Sequence, residues 1–254
     1  VTQVLNRADS IVHSLASEMV ESDRLVLCDL DGCLMSEGRA FGDAAAFVRA
    51  CADRFWIVSN NSTHSAHGLS TALARLGLAV PSDRILLAGE ETLRHIAAER
   101  AGARLALFGS PEMERLARLL GFVLDFGRPD LVLLCRDTQL SLTRLDALTA
   151  ALRMGAEFWI SNPDTAHPGA DGQPIAETGA LLAAVEAILG RMPYHSLGKP
   201  DPHMANAALD RSGCAPSDAV FIGDNPLTDG AVAKAAGVRF IRLARDARQT
   251  EACA

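Results

Sequence analysis

Short apolar runs that stop abruptly at a polar cluster, each followed by a helix-length segment, recur along this chain and restrict its fold more than any other feature. Leu25–Cys28 runs into Asp29-Leu-Asp-Gly32, residues 55–58 into Ser59-Asn-Asn-Ser62, and residues 219–222 into Gly223-Asp224, while residues 194–197 read as another short strand that runs into Gly198-Lys-Pro200. A continuous apolar run of four residues is the pattern of a strand buried on both faces, and a polar stop marks its carboxyl end. Residues 43–52, 66–76, 90–100, 203–211 and 230–236 read as the intervening helices, with Ile85–Leu87 and residues 238–243 as further strands. Apolar positions in residues 2–20 predict an amphipathic helix ahead of the first strand.

The alternation restarts in mid-chain. Strands over 105–108, 131–134 and 158–160 alternate with helices over 111–120 and 142–154, and a further helix covers 179–189. Such repetition predicts an α/β fold, a doubly wound parallel sheet with helices on both faces. The middle portion has enough elements for a small α/β unit of its own. The expected organisation is therefore a discontinuous core, residues 1–100 and 192–254, with residues 101–191 inserted. In such folds ligands sit beyond the carboxyl ends of the strands, where Asp29/Asp31, Ser59/Asn60, Lys199 and Asp224/Asp229 are all expected.

Charge and composition narrow the partners. A net charge of −7 without a basic run lacks the footprint of a nucleic-acid binder and leaves a small molecule as the expected partner. No apolar run approaches about 18 residues, and the beginning of the sequence lacks a secretory pattern, so no membrane association is expected and the cytoplasm is the expected location. The six cysteines are scattered without a CxxC pair, which argues against zinc and against a disulfide framework and reads as mostly buried thiols. Trp56 and Trp159 lie in apolar runs and read as core.

The carboxylate pair carries the chemistry. Two aspartates one residue apart at a strand end, with Gly32 to turn the chain, allow a division of labour. Asp29 is suited to attack phosphorus and form an aspartyl-phosphate. Asp31 is suited to protonate the leaving oxygen and later to take a proton from water. Adjacent carboxylates resist joint ionisation, so Lys199 and a Mg²⁺ ion are expected beside them. Asp29, the main-chain carbonyl of Asp31 and Asp224 form a suitable oxygen set for Mg²⁺, with Asp229 in the first or second shell of ligands. Ser59 and the amide of Asn60 are placed to hold phosphoryl oxygens; Asn61 is the other candidate, and either asparagine also suits a turn. His167, in a loop over 162–173, is a candidate substrate contact or a solvated loop histidine.

With these residues in place the chain resembles the haloacid dehalogenase-like (HAD) superfamily over nearly its whole length. The four motifs are Asp29-Leu-Asp-Gly-Cys-Leu34, Ser59, Lys199, and Gly223-Asp-Asn-Pro-Leu-Thr-Asp229. Ser59-Asn-Asn, Ser161-Asn-Pro-Asp164 and Gly198-Lys-Pro200 look like the NagD-type, p-nitrophenylphosphatase-like branch (subclass IIA), which includes pyridoxal phosphate and phosphoglycolate phosphatases. The resemblance implies a Rossmann-like core, an inserted α/β cap of the C2 type between motifs two and three, and Mg²⁺-dependent hydrolysis of a small phosphorylated metabolite. It also implies a cap able to mediate a homodimer. Cys33 and Cys135 depart from the residues usual at their positions, and Thr63-His64-Ser65 lacks the basic residue often found there. The alternatives are another HAD-type phosphotransferase or a phosphate-sensing module without turnover. Asp31 disfavours dehalogenase and phosphonatase chemistry, and the insertion point disfavours a mutase.

Overall fold

A computed structural model of the protein describes residues 10–169 and 173–245. With elements numbered in chain order, its larger sheet comprises β1 (Ser10–Val12), β2 (Leu25–Cys28), β5 (Phe55–Ser59), β6 (Ile85–Leu87), β13 (Ala219–Gly223) and β14 (Arg239–Leu243). The strands are all parallel and lie in the order β1-β14-β13-β2-β5-β6. From β2 the chain winds outward through β5 to β6, and its later part fills the other side through β13 and β14. The winding direction therefore reverses between β2 and β13, which opens a crevice at their carboxyl ends.

Alternation within the strands covers both faces. Val26, Cys28, Phe55 and Ile57 point to a core with Phe47 and Val48 of α1 (Ala44–Ala50) and Leu69 and Leu73 of α2 (Ala66–Arg75). Leu25, Leu27, Trp56 and Val58 point the opposite way, against Met204 and Ala205 of α7 (His203–Ser212) and Val232 and Ala233 of α8 (Asp229–Ala236). Each fully buried Leu, Val or Phe contributes roughly 1.5–3 kcal/mol. That is why unbroken apolar runs rather than alternating ones specify these strands.

The second sheet has four parallel strands in the order β10-β9-β7-β8, formed by Glu157–Ile160, Leu131–Leu134, Arg104–Phe108 and Val123–Leu124 respectively. One face packs on α5 (Leu142–Arg153) and α6 (Thr178–Leu189). The other packs on α4 (Pro111–Leu119) and on Leu93 and Ile96 of α3 (Ala88–Glu99). The whole unit is inserted between β6 and β13 of the larger sheet. None of the helices formed by the described residues is long and apolar enough to cross a membrane.

Three expectations are corrected. Of the helix expected over 2–20, residues 1–9 lie outside the described residues, while Ser10–Val12 form β1 and Ser17–Val20 a single 3₁₀ turn. Ile11 and Val12 are β-branched, and the open edge of β14 offers main-chain partners that outweigh the helical spacing. No strand forms over 194–197: His195 makes one bridge to Trp159, and the chain then leaves the sheet for the crevice. The loop expected around His167 contains an antiparallel hairpin, β11 (Ala166–Pro168) with β12 (Pro174–Ala176), which pairs His167 with Ile175. A second hairpin, β3 (Met35–Ser36) with β4 (Arg39–Ala40), turns at Glu37-Gly38. Both turn residues have positive φ, 45° and 79°, as a type I′ turn requires.

Candidate active site

The crevice collects the strand-end residues. Asp29 follows β2, and its main-chain N–H donates to the Ile222 carbonyl of β13 at 2.9 Å. Pairing of the two central strands thus fixes where the Asp29 carboxylate begins. Asp224 follows β13 at the same level. Gly32, at φ +79°, turns the chain after Asp31, and a Cβ there would lie 2.3 Å from Asp224 Oδ2. Both the backbone conformation and the close approach of Asp224 demand glycine.

Lys199 is the electrostatic centre. Its Nζ donates to Asp29 Oδ1 and to Asp229 Oδ1, at 2.6 Å each. The Lys199 side chain is 3% exposed and that of Asp229 0%, so all three charges interact with little help from solvent. Burial alone would lower the Lys199 pKa, but Asp229 and Asp29 more than offset it and hold the ammonium charged. Burial raises Asp29 well above the usual carboxylate range, against the pull of Lys199. Burial, reinforced by Asp229, raises Asp224 to about 6. Burial also raises Asp31, with His167 pulling the other way.

One ammonium facing Asp29, Asp224 and Asp229 leaves an excess of negative charge that a divalent cation would balance. Ligand atoms of Asp29, Cys33 and Asp224 lie within 4.8 Å of one another, the one such group among the described residues. A hydrogen bond with Cys28 and burial push the Cys33 thiol well up, so it stays protonated and is a poor partner for a hard cation. The two carboxylates remain, and they fit Mg²⁺. Asp229, expected among the metal residues, has Oδ1 on Lys199 and Oδ2 accepting from the Asn225 N–H at 3.1 Å.

The structure also separates the roles of the two asparagines. Asn60 Oδ1 accepts from the Lys199 N–H at 2.7 Å, and its Nδ2 donates to the Lys199 carbonyl at 3.0 Å and to Asp164 Oδ2 at 2.8 Å. Its side chain therefore positions the lysine segment. Asn61 Oδ1 accepts from the main-chain N–H groups of Thr63 and His64, both at 3.0 Å, and so shapes the turn after β5. Ser59 is buried, with Oγ accepting from the Asn61 N–H at 3.2 Å. Asn162 Nδ2 donates to the Asn60 carbonyl at 2.9 Å, joining the inserted unit to the core at the same segment.

A cavity of about 560 Å³ opens above Asp29 and Asp31 between the two units, and Ser59, Asn60, Asn61 and His167 line it. His167 Nδ1 lies 2.8 Å from Glu177 Oε1, and Glu177 raises its pKa. Asp164, which closes the Ser161-Asn-Pro-Asp164 motif, also lines the cavity, as do Arg136 and Glu177, which carry no motif in the sequence. Arg136 sits two residues beyond β9, so a search for polar residues at strand ends, extended to the inserted sheet, would find it. Glu177 carries no comparable signal; only the hairpin packing brings it to His167.

Comparison with known proteins finds relatives that cover most of the chain. A family model described as haloacid dehalogenase-like hydrolase matches residues 26–123, and a second, HAD-hydrolase-like, matches residues 196–254. The chain is 30% identical to a dihydroxyacetone phosphatase of Corynebacterium glutamicum over 80% of its own length and 74% of the relative's. It is 27% identical to the ribonucleotide monophosphatase NagD of Escherichia coli, over 85% of each chain. The crystal structure of a 4-nitrophenylphosphatase from Thermotoga maritima superposes with a TM-score of 0.82 at 27% identity, covering 89% of this chain and 88% of that one.

Proposed function

Because the chain belongs to the haloacid dehalogenase-like hydrolases and is a phosphoric monoester hydrolase of that superfamily, we propose that it hydrolyses a small phosphomonoester through an aspartyl-phosphate on Asp29, with Asp31 as general acid and base. The observation that carries this reading is the placement of Lys199 Nζ 2.6 Å from both Asp29 and Asp229, at the floor of the cavity that Asp31 also lines. Small sugar phosphates, esters of the kind two of its relatives are named for, suit a cavity of about 560 Å³.

In this reading Asp29 Oδ attacks phosphorus as the bond from phosphorus to the leaving oxygen breaks, and Asp31 donates its proton to that oxygen. Burial raises the Asp31 pKa and so favours the protonated form that this first step needs. Asp31 then takes a proton from water as the water oxygen attacks phosphorus. The bond between Asp29 and phosphorus breaks, which releases inorganic phosphate and restores the carboxylate. Lys199 keeps Asp29 aimed and offsets charge, and the Ser59 hydroxyl with the Asn60 main-chain amide holds phosphoryl oxygens. Asp29, Asp224 and the Asp31 carbonyl would hold Mg²⁺, which supplies positive charge to the phosphoryl group. The inserted unit serves as the cap that shields the reaction.

The test compares two substrates. Asp31→Asn removes the proton donor, so turnover of an alkyl phosphate is expected to fall by about 10²–10⁴-fold. p-Nitrophenyl phosphate, whose leaving group departs without a proton, is expected to lose much less in that first step. Equal losses on both substrates in kcat/KM, which reports the steps through release of the leaving group, would refute the acid role of Asp31.

A second expectation concerns the cation. At pH 5 the Asp224 carboxyl, with its pKa raised to about 6, is mainly protonated in the ion-free protein, and binding must displace that proton. Apparent Mg²⁺ affinity, read from thermal shift against MgCl₂, is expected to weaken by roughly tenfold or more between pH 7.5 and pH 5. Identical half-saturation at the two pH values would contradict a protonated Asp224 at the cation site.

A further inference from the structure

The cap wall above Asp31 contains a charge arrangement that hydrolysis itself does not need. Glu177 Oε1 lies 2.8 Å from His167 Nδ1 and 3.2 Å from Arg136 Nε. The three side chains are 15%, 28% and 27% exposed, for Glu177, His167 and Arg136. Each is anchored independently. The Glu177 N–H donates to the Thr165 carbonyl at 3.0 Å. Arg136 Nε also donates to the Ala176 carbonyl at 3.0 Å, and the Arg136 main-chain N–H donates to Ser62 Oγ of the core at 2.9 Å. His167 is fixed by the hairpin register opposite Ile175. All three side chains face the cavity that holds Asp29 and Asp31.

We propose that Glu177 is a specificity-determining residue that cancels the charge of Arg136, so that the site accepts phosphate esters of neutral hydroxylated leaving groups and rejects those bearing a second anion such as a carboxylate. A carboxylate on the leaving group would seek Arg136 and find the guanidinium already paired. It would also meet the like charges of Glu177 and of Asp164 on the same wall. Rejection by an unfavourable charge is an effective route to selectivity, because it penalises one substrate and leaves the other almost untouched. A hydroxyl, which both donates and accepts, can hydrogen-bond to either member of the pair. Leu69 and Leu73 of α2, with Leu76 just beyond it, add an apolar surface to the cavity, and Arg75 in the last turn of α2 also lines it.

This inference rests on the phosphatase reading, and its test keeps the two apart. kcat and KM are measured for glycerol 3-phosphate, a neutral-alcohol ester, and for 2-phosphoglycolate, a carboxylate ester, with the wild type, Glu177→Gln and Arg136→Gln. p-Nitrophenyl phosphate reports hydrolysis as such. Glu177→Gln keeps the size and the hydrogen-bonding shape while freeing the Arg136 charge. The ratio of kcat/KM for phosphoglycolate over glycerol phosphate is expected to rise at least tenfold, mainly through KM. Arg136→Gln leaves Glu177 without its guanidinium partner and is expected to move the ratio the other way, which provides a reading even where Glu177→Gln folds poorly. Ratios within twofold of wild type in either folded variant would overturn the proposal, since a purely structural role alters both substrates together. A wild type inert on all three esters would overturn the phosphatase reading and this inference with it.

Discussion

Asp29→Asn is expected to abolish phosphate release from p-nitrophenyl phosphate, with a loss on the order of 10⁴-fold or more, while the protein stays folded. The substitution preserves shape but leaves no anionic oxygen to attack phosphorus. Folding should tolerate it for electrostatic reasons. Burial already raises the Asp29 pKa well above the ordinary range, so the wild-type charge is costly to keep. Lys199 retains Asp229 as its ion-pair partner at 2.6 Å after the change. Phosphate assays with MgCl₂, paired with a thermal melt, decide the matter. Release at more than a few per cent of the wild-type rate would mean that Asp29 is not the nucleophile.

Replacing Lys199 by Met is expected to produce the largest loss of stability among the active-site substitutions. The wild-type ammonium sits between two carboxylates, one of them 0% exposed. Met fills similar space but leaves Asp29 and Asp229 without a cation. Removing one partner of a buried ion pair typically costs about 3–5 kcal/mol, which in a protein of this size lowers Tm by on the order of 10 °C. The pH dependence has a definite sign. Unpaired buried carboxylates have folded-state pKa values above their unfolded ones, so their contribution is favourable at low pH and is lost as pH rises through the folded-state pKa. The Tm gap between variant and wild type should therefore narrow from pH 7.5 to pH 5. A variant as stable as wild type at pH 7.5, or a gap that widens on acidification, would contradict this charge arrangement.

The legibility of this protein in its sequence divides along physical lines. Strands β2, β6 and β9 were readable to the residue because each is a run buried on both faces, and burial on both faces writes itself as continuous apolar sequence. The polar residues of the crevice were readable for a related reason: a buried strand can deliver polar groups only at its end. Asp29, Ser59 and Asp224 all lie at the carboxyl end of a strand. Where the signal is one of pairing rather than burial, sequence reading failed. Ile11 and Val12 look helical until the edge of β14 is present to pair with them, and His167 looks like a loop residue until Ile175 is found opposite it.

The sequence by itself therefore determined the α/β class and the strand ends at which the polar residues of the crevice lie, because those follow from local burial patterns. Only the tertiary structure decided how the residues divide the work. Asn60 and Asn61 are adjacent and chemically identical, yet one clamps the Lys199 segment and the other caps the turn that follows β5. Asp229 lies beneath Lys199, and the Glu177, His167 and Arg136 cluster joins residues of a strand end, a hairpin and a helix start. Distances of 2.6–3.2 Å between groups so far apart in sequence are set by packing of whole elements, and no local pattern encodes them.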